Sequence, residues 1–297
     1  FPNQPIEMTV GYPPGSSLDI LARLMQPRMS EALGQQVVVQ NRAGAGGNIG
    51  TAFVARAEPD GCRILLASNA NLTINPHVYK EPGFDVFKDF APVTLLASGP
   101  VALVVRKELK VKDLGELVKL AKTRKDRITY GTPGAGSPMH LLGEMLSQEA
   151  GIELTHVPYR GSAPALNDLL GGSIDMVISS LATVTPFLPS DRIEVIALAS
   201  EERYERLPDM PLVAETYPGV SAPAWFALVA PAGTPPEVTA RIHEAALAAL
   251  QDESVKKGLE TGALIAVGGG ADDLLALMKK EYEVFGKVVK ARNIPVN

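Results

Sequence analysis

A chain of 297 residues, 46% of them apolar, is long enough to close two packed lobes or one large α/β core. Its net charge of −5, with no long basic block, argues against nucleic acid, whose binders need a concentrated positive surface. The single cysteine, Cys62, excludes an intramolecular disulfide and any multi-cysteine metal site, and leaves the redox compartment open.

The chain opens on polar "FPNQPIE", with no signal peptide in view. That suits a secreted chain already trimmed and equally a cytoplasmic one. Strand-like runs then alternate with helical patterns. "EMTVGY", "QVVVQN" and "RILLAS" predict strands, with helices starting near Ser17 and Gly47 between them. Cys62, directly before "RILLAS", is expected to be buried and inert. "APVTLLASGPVALVV", Ala91 to Val105, is too short to span a bilayer and is interrupted by Pro92, Gly99 and Pro100. It reads as two strands joined by a turn.

A second series starts near Asp113 and ends near Ser200. Its strands are "RITYGT", "ELTHVPY", "IDMVISS" and "IEVIALAS", with helices from Asp113, Ser137 and Ala163. Such alternation implies βαβ units, a mostly parallel sheet in each lobe and helices on both faces. "ERLPDMPLVAETYPGVSAPAW" is a proline-rich irregular connection. "WFALVAPAGTPPEVTARIHEAALAAL" then gives a strand, a helix start marked by Pro235 and Pro236, and a long amphipathic helix. The last third is expected to return to the first lobe. Domain 1 is therefore residues 1–106 plus 221–297, domain 2 is residues 107–220, and a cleft separates them.

The loops carry the chemistry. "VGYPPGSSLDIL" (10–21) and "YGTPGAGSPMHL" (130–141) echo one another, pairing Gly11 with Gly131, Pro13 with Pro133, Ser17 with Ser137 and Leu21 with Leu141. In both, a strand passes through small residues into a serine-capped helix. The first turn of a helix leaves N–H groups unpaired and carries the positive end of the helix dipole, so such a loop binds anions. Gly131 and Gly136 have phosphate-loop spacing, but Ser137 stands where that motif needs lysine. A carboxylate is the better match. "VPYRGSAPALNDLL", with Arg160, Gly161 and Ser162, is a third such loop, and Ser68, Asn69 and Asn71 of "LLASNANLT" form a fourth. All four follow strands, at the carboxyl ends where open α/β sheets hold ligands.

Plainer roles compete at several positions. Ser16 and Asp19 form a capping-box variant, so closing its own helix stands ahead of ligand contact as the role of Asp19. Arg160 is either a solvated surface charge or an anion contact. His140 reads as a packing residue behind the loop. Asp175, at the end of "GGSID", makes either a structural hydrogen bond or a ligand contact. Trp225 lines the cleft or fills the core. "GAGGNIG", Gly44 to Gly50, lacks the glycine spacing of a dinucleotide fingerprint, and no G-x-S-x-G elbow, H-E-x-x-H or metal-spaced histidine pair is present. No cofactor and no metal are expected.

Five blocks in order carry a family resemblance: "YPPGSSLDILAR", "VVVQNRAGAGGNIGTAFVARAEPDG", "YGTPGAGSPMHLLGEML", "VPYRGSAPALNDLLGGSIDM" and "WFALVAPAGTPPEV". They resemble the tripartite tricarboxylate transporter receptors, the Bug family of periplasmic solute-binding proteins. The resemblance implies a two-domain Venus-flytrap fold of the type II periplasmic class, and small organic acids as ligands. It implies that Tyr12, Pro14, Gly15 and Ser16 in one lobe, and Thr132, Ala135, Gly136 and Ser137 in the other, hold a carboxylate, largely through backbone N–H groups. Ser68 and Asn69 join them, and "SSLATV", from Ser179, lines the distal pocket. With Arg160, Gly161 and Asp175 these form the candidate ligand set. The implied partner is a two-component membrane permease, the implied place the periplasm, and a monomer is expected. The chain departs from the family pattern at Ser16, where glycine is usual, at Ala135, where asparagine is common, and at Pro138, where serine is common. A cytoplasmic α/β enzyme acting on a carboxylate and a sensor signalling through a membrane kinase are the rival readings.

Overall fold

The structure is a computed structural model, and it describes residues 1–200, 203–294 and 296. The chain begins with β1 (Ile6–Val10), α1 (Ser17–Leu33), β2 (Val37–Asn41), α2 (Asn48–Ala55), β3 (Arg63–Ser68), α3 (Asn75–Val78) and β4 (Phe90–Gly99). It continues through β5 (Val101–Arg106), α4 (Leu114–Thr123), β6 (Ile128–Thr132), α5 (Pro138–Ala150), β7 (Leu154–Pro158), α6 (Ser162–Gly171) and β8 (Met176–Ser180). Then come α7 (Leu181–Val184), β9 (Ile193–Leu198) and α8 (Val213–Thr216). The last part holds β10 (Ala224–Pro231), α9 (Pro236–Leu250), α10 (Glu253–Thr261), β11 (Ile265–Gly269) and α11 (Ala271–Ala291).

Two compact units result. One comprises Phe1–Ser98, Trp225–Val289 and Ile294–Asn297, the other Gly99–Ala224 and Lys290–Asn293. Most of the last third, Trp225–Val289, lies in the first unit. The units part at Ser98, ahead of the Arg106 expected from sequence, because β5 hydrogen-bonds to β8 and β9 in the second sheet. The run Ala91 to Val105 is two strands, as expected, but β4 and β5 belong to different sheets.

The first sheet has the order β11-β4-β10-β3-β1-β2, and the second β7-β6-β8-β5-β9. Parallel pairing joins β2, β1 and β3 in one, and β7, β6 and β8 in the other. Strand β10 adds antiparallel to β3, and β5 adds antiparallel to both β8 and β9. The sheets are therefore mixed. Only the βαβ segments enforce parallel pairing, because their helical crossovers return the chain in the same direction.

The helices form where apolar residues recur at helical spacing. Leu18, Leu21, Ala22, Met25, Met29 and Leu33 bury one face of α1 against the first sheet and α9. The helix stops at Gly34, whose φ of 68° forms a left-handed cap. In the second unit Leu141, Leu142, Met145 and Leu146 bury the inner face of α5. Each such side chain, taken from water, contributes roughly 1.5–3 kcal/mol. Trp225 is core, 1% exposed among Leu65, Leu72 and Met278. Cys62 is half-buried rather than buried, because it sits in the turn that precedes β3.

Candidate functional site

In the first unit the parallel trio β2-β1-β3 places three loops at one sheet edge. From β1 the chain passes exposed Pro14 and Gly15 (φ 83°) to half-buried Ser16, the cap of α1. The Ser16 hydroxyl accepts from the Asp19 amide at 3.3 Å. The Asp19 carboxylate reaches back one residue further than a capping box requires and accepts from the Gly15 amide at 2.8 Å. Arg23 and Asn41 also donate to it, at 3.0 and 2.9 Å. Burial opposes its charge, but Arg23, the Gly15 amide and Asn41 outweigh that and hold the carboxyl below its usual range. Asp19 thus closes its own helix.

Behind this loop lies a hub that sequence reasoning missed. The Gly46 carbonyl accepts from the Tyr12 hydroxyl at 3.1 Å, Asn71 Nδ2 at 3.1 Å and Asn75 Nδ2 at 2.9 Å. Four successive residues, Gly44, Ala45, Gly46 and Gly47, have positive φ. A Cβ on Gly47 would lie 2.3 Å from Asn71 Nδ2, so the glycines of "GAGGNIG" permit close packing. The signal available was the asparagine cluster of "SNANLTIN" directly after β3. Ser68 is buried and donates from its amide and hydroxyl to Asn71 Oδ1, and buried Asn69 accepts from the Ala70 amide at 3.1 Å. Burial pushes the Tyr12 hydroxyl pKa up, so it stays protonated as a donor.

In the second unit β7-β6-β8 does the same. Thr132 is fully buried, with its hydroxyl 2.7 Å from His156 Nε2 and donating to the Gly134 carbonyl at 3.1 Å. Ala135 is exposed. The amide of Gly136 (φ 72°) donates to His140 Nδ1 at 3.0 Å. The Ser137 hydroxyl accepts from the His140 amide at 3.2 Å and donates to the Gly134 carbonyl at 2.7 Å. The Gly161 amide donates to the Pro133 carbonyl at 3.1 Å and ties the β7–α6 loop to this one. Arg160 is exposed.

Several sequence expectations change here. The side chains of Thr132 and Ser137 and the amides of Gly136 and Ser137 are engaged within the protein. In the first turn of α5, Pro138 has no N–H, which leaves the Met139 amide without an intrahelical partner. Ser179 is fully buried and donates to the Ser162 hydroxyl at 2.8 Å under the start of α6. Asp175 stands at the opposite end of its strand, ion-paired to Arg106 at 2.6 Å and Arg124 at 3.0 Å. It locks the sheet there, at the end away from the glycine–serine loops. The two loops do correspond, but the caps are Ser16 and Ser137, so their alignment slips by one residue. Asp19 and His140 then stand in equivalent positions, each holding the amide of the glycine before its cap.

Beneath the second loop lies a cluster of ionisable groups. The His140 and His156 rings stack at 3.8 Å with 14° between their planes. The Tyr130 hydroxyl, fully buried, donates to Glu144 at 2.7 Å, and Arg292 pairs with the other Glu144 oxygen. Burial lowers the pKa of His140, and burial together with the neighbouring His140 takes that of His156 down to about 4. Both rings are neutral at pH 7. Because Gly136 donates to His140 Nδ1, the ring proton lies on Nε2, 3.8 Å from Glu144. Among the described residues no cluster is placed to hold a metal ion, and no helix is long and apolar enough to cross a membrane.

Two α/β units, each presenting glycine–serine loops at the carboxyl ends of a parallel strand trio, define the fold of a solute-binding protein. The periplasmic binding protein BugD shares it with a TM-score of 0.80 and 32% identity, each chain covered over 99%. Rpa4515 of R. palustris, solved with adipate, matches at a TM-score of 0.84 and 33% identity over 99% of both chains. MatC of Rhodopseudomonas palustris, solved with malate, matches at 0.80 and 29%, over 97% of this chain and all of that one. The model of the tripartite tricarboxylate transporter family receptor matches residues 21–294. The chain belongs to that family.

Proposed function

We propose that the protein is an extracytoplasmic receptor that captures a small organic acid and passes it to a tripartite tricarboxylate-type permease. The observation that carries this is the repeated strand–glycine–serine–helix loop, which each unit presents at the carboxyl edge of its parallel strands. The ligand's carboxylate is assigned to the head of α5, beside exposed Ala135 and the Met139 amide, where the helix dipole favours an anion. The head of α1, from Tyr12 to Ser16, offers the Ser17 and Leu18 amides. Malate and adipate, held by similar proteins, mark the ligand size. Binding, rather than catalysis, is the role that these loops serve.

A thermal-shift screen of organic acids tests the reading. An acid present at a hundred times its Kd stabilises the fold by about 2.7 kcal/mol, and a screen without any such rise overturns the proposal. The methyl ester of the best acid should fail, having lost the charge that the helix end favours. Arg160→Ala should weaken binding by less than about 1 kcal/mol in calorimetry, as expected of an exposed charge. A loss of several kcal/mol would assign the carboxylate to a direct guanidinium pair instead.

A further inference from the structure

Buried His140 and half-buried His156 are titratable groups that the binding role above does not use, and both touch the loop that enters α5. His140 accepts from the Gly136 amide at 3.0 Å, and His156 Nε2 lies 2.7 Å from the Thr132 hydroxyl. Thr132 in turn holds the Gly134 carbonyl at 3.1 Å. The stacked rings thus brace the loop from beneath at its first residue and again at the glycine before the cap. We infer that His140 is a positioning residue: its neutral ring holds the Gly136 amide and fixes the anion-binding loop, and a proton on Nδ1 releases it. This inference rests on the binding role proposed above.

The chemistry of the ring dictates the release. The lone pair on Nδ1 is the acceptor of the Gly136 N–H. Once protonated, Nδ1 becomes a donor facing a donor, and the bond is lost. The groups around the ring are few. His156 stacks on it from β7, and Glu144 lies 3.8 Å from Nε2 on the same helix. Tyr130 reaches Glu144 and the His140 carbonyl from β6, and Arg292 balances Glu144. Two stacked imidazoles do not both charge readily, because each cation repels the other. Burial lowers the pKa of His140 as well, so the loop stays braced at neutral pH and is released in acid.

The first unit shows what another acceptor would do. Asp19 holds the Gly15 amide at 2.8 Å from the equivalent position, with a carboxyl that its partners hold below the usual range. His140→Asp therefore keeps an acceptor for the Gly136 amide but places a negative charge where the ligand's carboxylate is to bind. His140→Leu removes the acceptor and keeps the bulk.

Nitrogen-15 NMR of the full chain, without ligand, tests the brace directly. In the wild type the His140 proton should sit on Nε2, and the Gly136 amide should be protected from hydrogen exchange. His140→Leu should speed that exchange at least about tenfold with the rest of the second unit still protected, as for one lost hydrogen bond. Lowering pH should speed it in step with protonation of the His140 ring. A proton on Nδ1 at neutral pH, unchanged exchange in His140→Leu, or protection that survives ring protonation would overturn the inference. Calorimetry with malate and with adipate adds the functional arm. His140→Leu should bind either acid at least about tenfold more weakly, as for one lost hydrogen bond, and undiminished affinity in that variant would count against positioning. His140→Asp, with its Gly136 amide still protected, separates the added charge from loss of the brace. If neither acid nor any other binds the wild type, the binding role fails, while the NMR result still decides the brace.

Discussion

Asp175 is gripped by guanidiniums from two directions, Arg106 at the end of β5 and Arg124 after α4, with the Thr129 amide donating as well. Burial opposes its charge, yet Arg106, Thr129 and Arg124 outweigh that and hold its carboxyl below the usual range. The unfolded chain then binds the proton more readily, so this stability is present above about pH 3.9 and is lost as pH falls through the folded value. Asp175→Asn leaves two half-buried arginines without their charged partner and should cost about 2 kcal/mol in urea unfolding, with acid binding unchanged. A variant as stable as the wild type would sink this account. From sequence, a structural hydrogen bond stood somewhat ahead of ligand contact at Asp175. The deciding facts, Arg106 and Arg124, lie more than fifty positions away along the chain, and only pairing between strands brings them together. Asp19 was legible because its partner Gly15 lies within one helical turn.

Among elements, α5 and β6 show how close packing limits substitution. A Cβ at Gly143 would lie 2.3 Å from the Tyr130 ring, which is fully buried and cannot move aside cheaply. Gly143→Ala should therefore destabilise the second unit by about 1–3 kcal/mol, read as a lower thermal midpoint, even though alanine favours helix. An unchanged midpoint would mean that ring and helix part easily. The alternating strands and helices were readable from periodicity, and so were the helix starts at Ser137 and Asp113, because both signals are local. The antiparallel entry of β5 and β10 was not. Strand direction depends on where the chain returns after long connections, and no local pattern encodes that.

At the scale of the whole molecule, α11 belongs with the first unit up to Val289, and the residues that follow it, Lys290–Asn293, belong with the second. The sequence reading gave the last third to one lobe throughout and had no means of seeing this exchange, since a single residue, Arg292, makes the ion pair that marks it. That pair reaches beyond stability. Glu144 attracts a proton to His140, and Arg292 offsets part of that attraction. Replacing Arg292 by alanine should raise the pH at which the Gly136 amide begins to exchange, by about half a unit to one unit. An unmoved threshold would show that Glu144 is already screened from the ring. The far end of the polypeptide thus acts as a tuning weight: substitutions near the C-terminus, remote in sequence from every loop at the strand ends, set how acid the surroundings must become before the receptor loosens its hold.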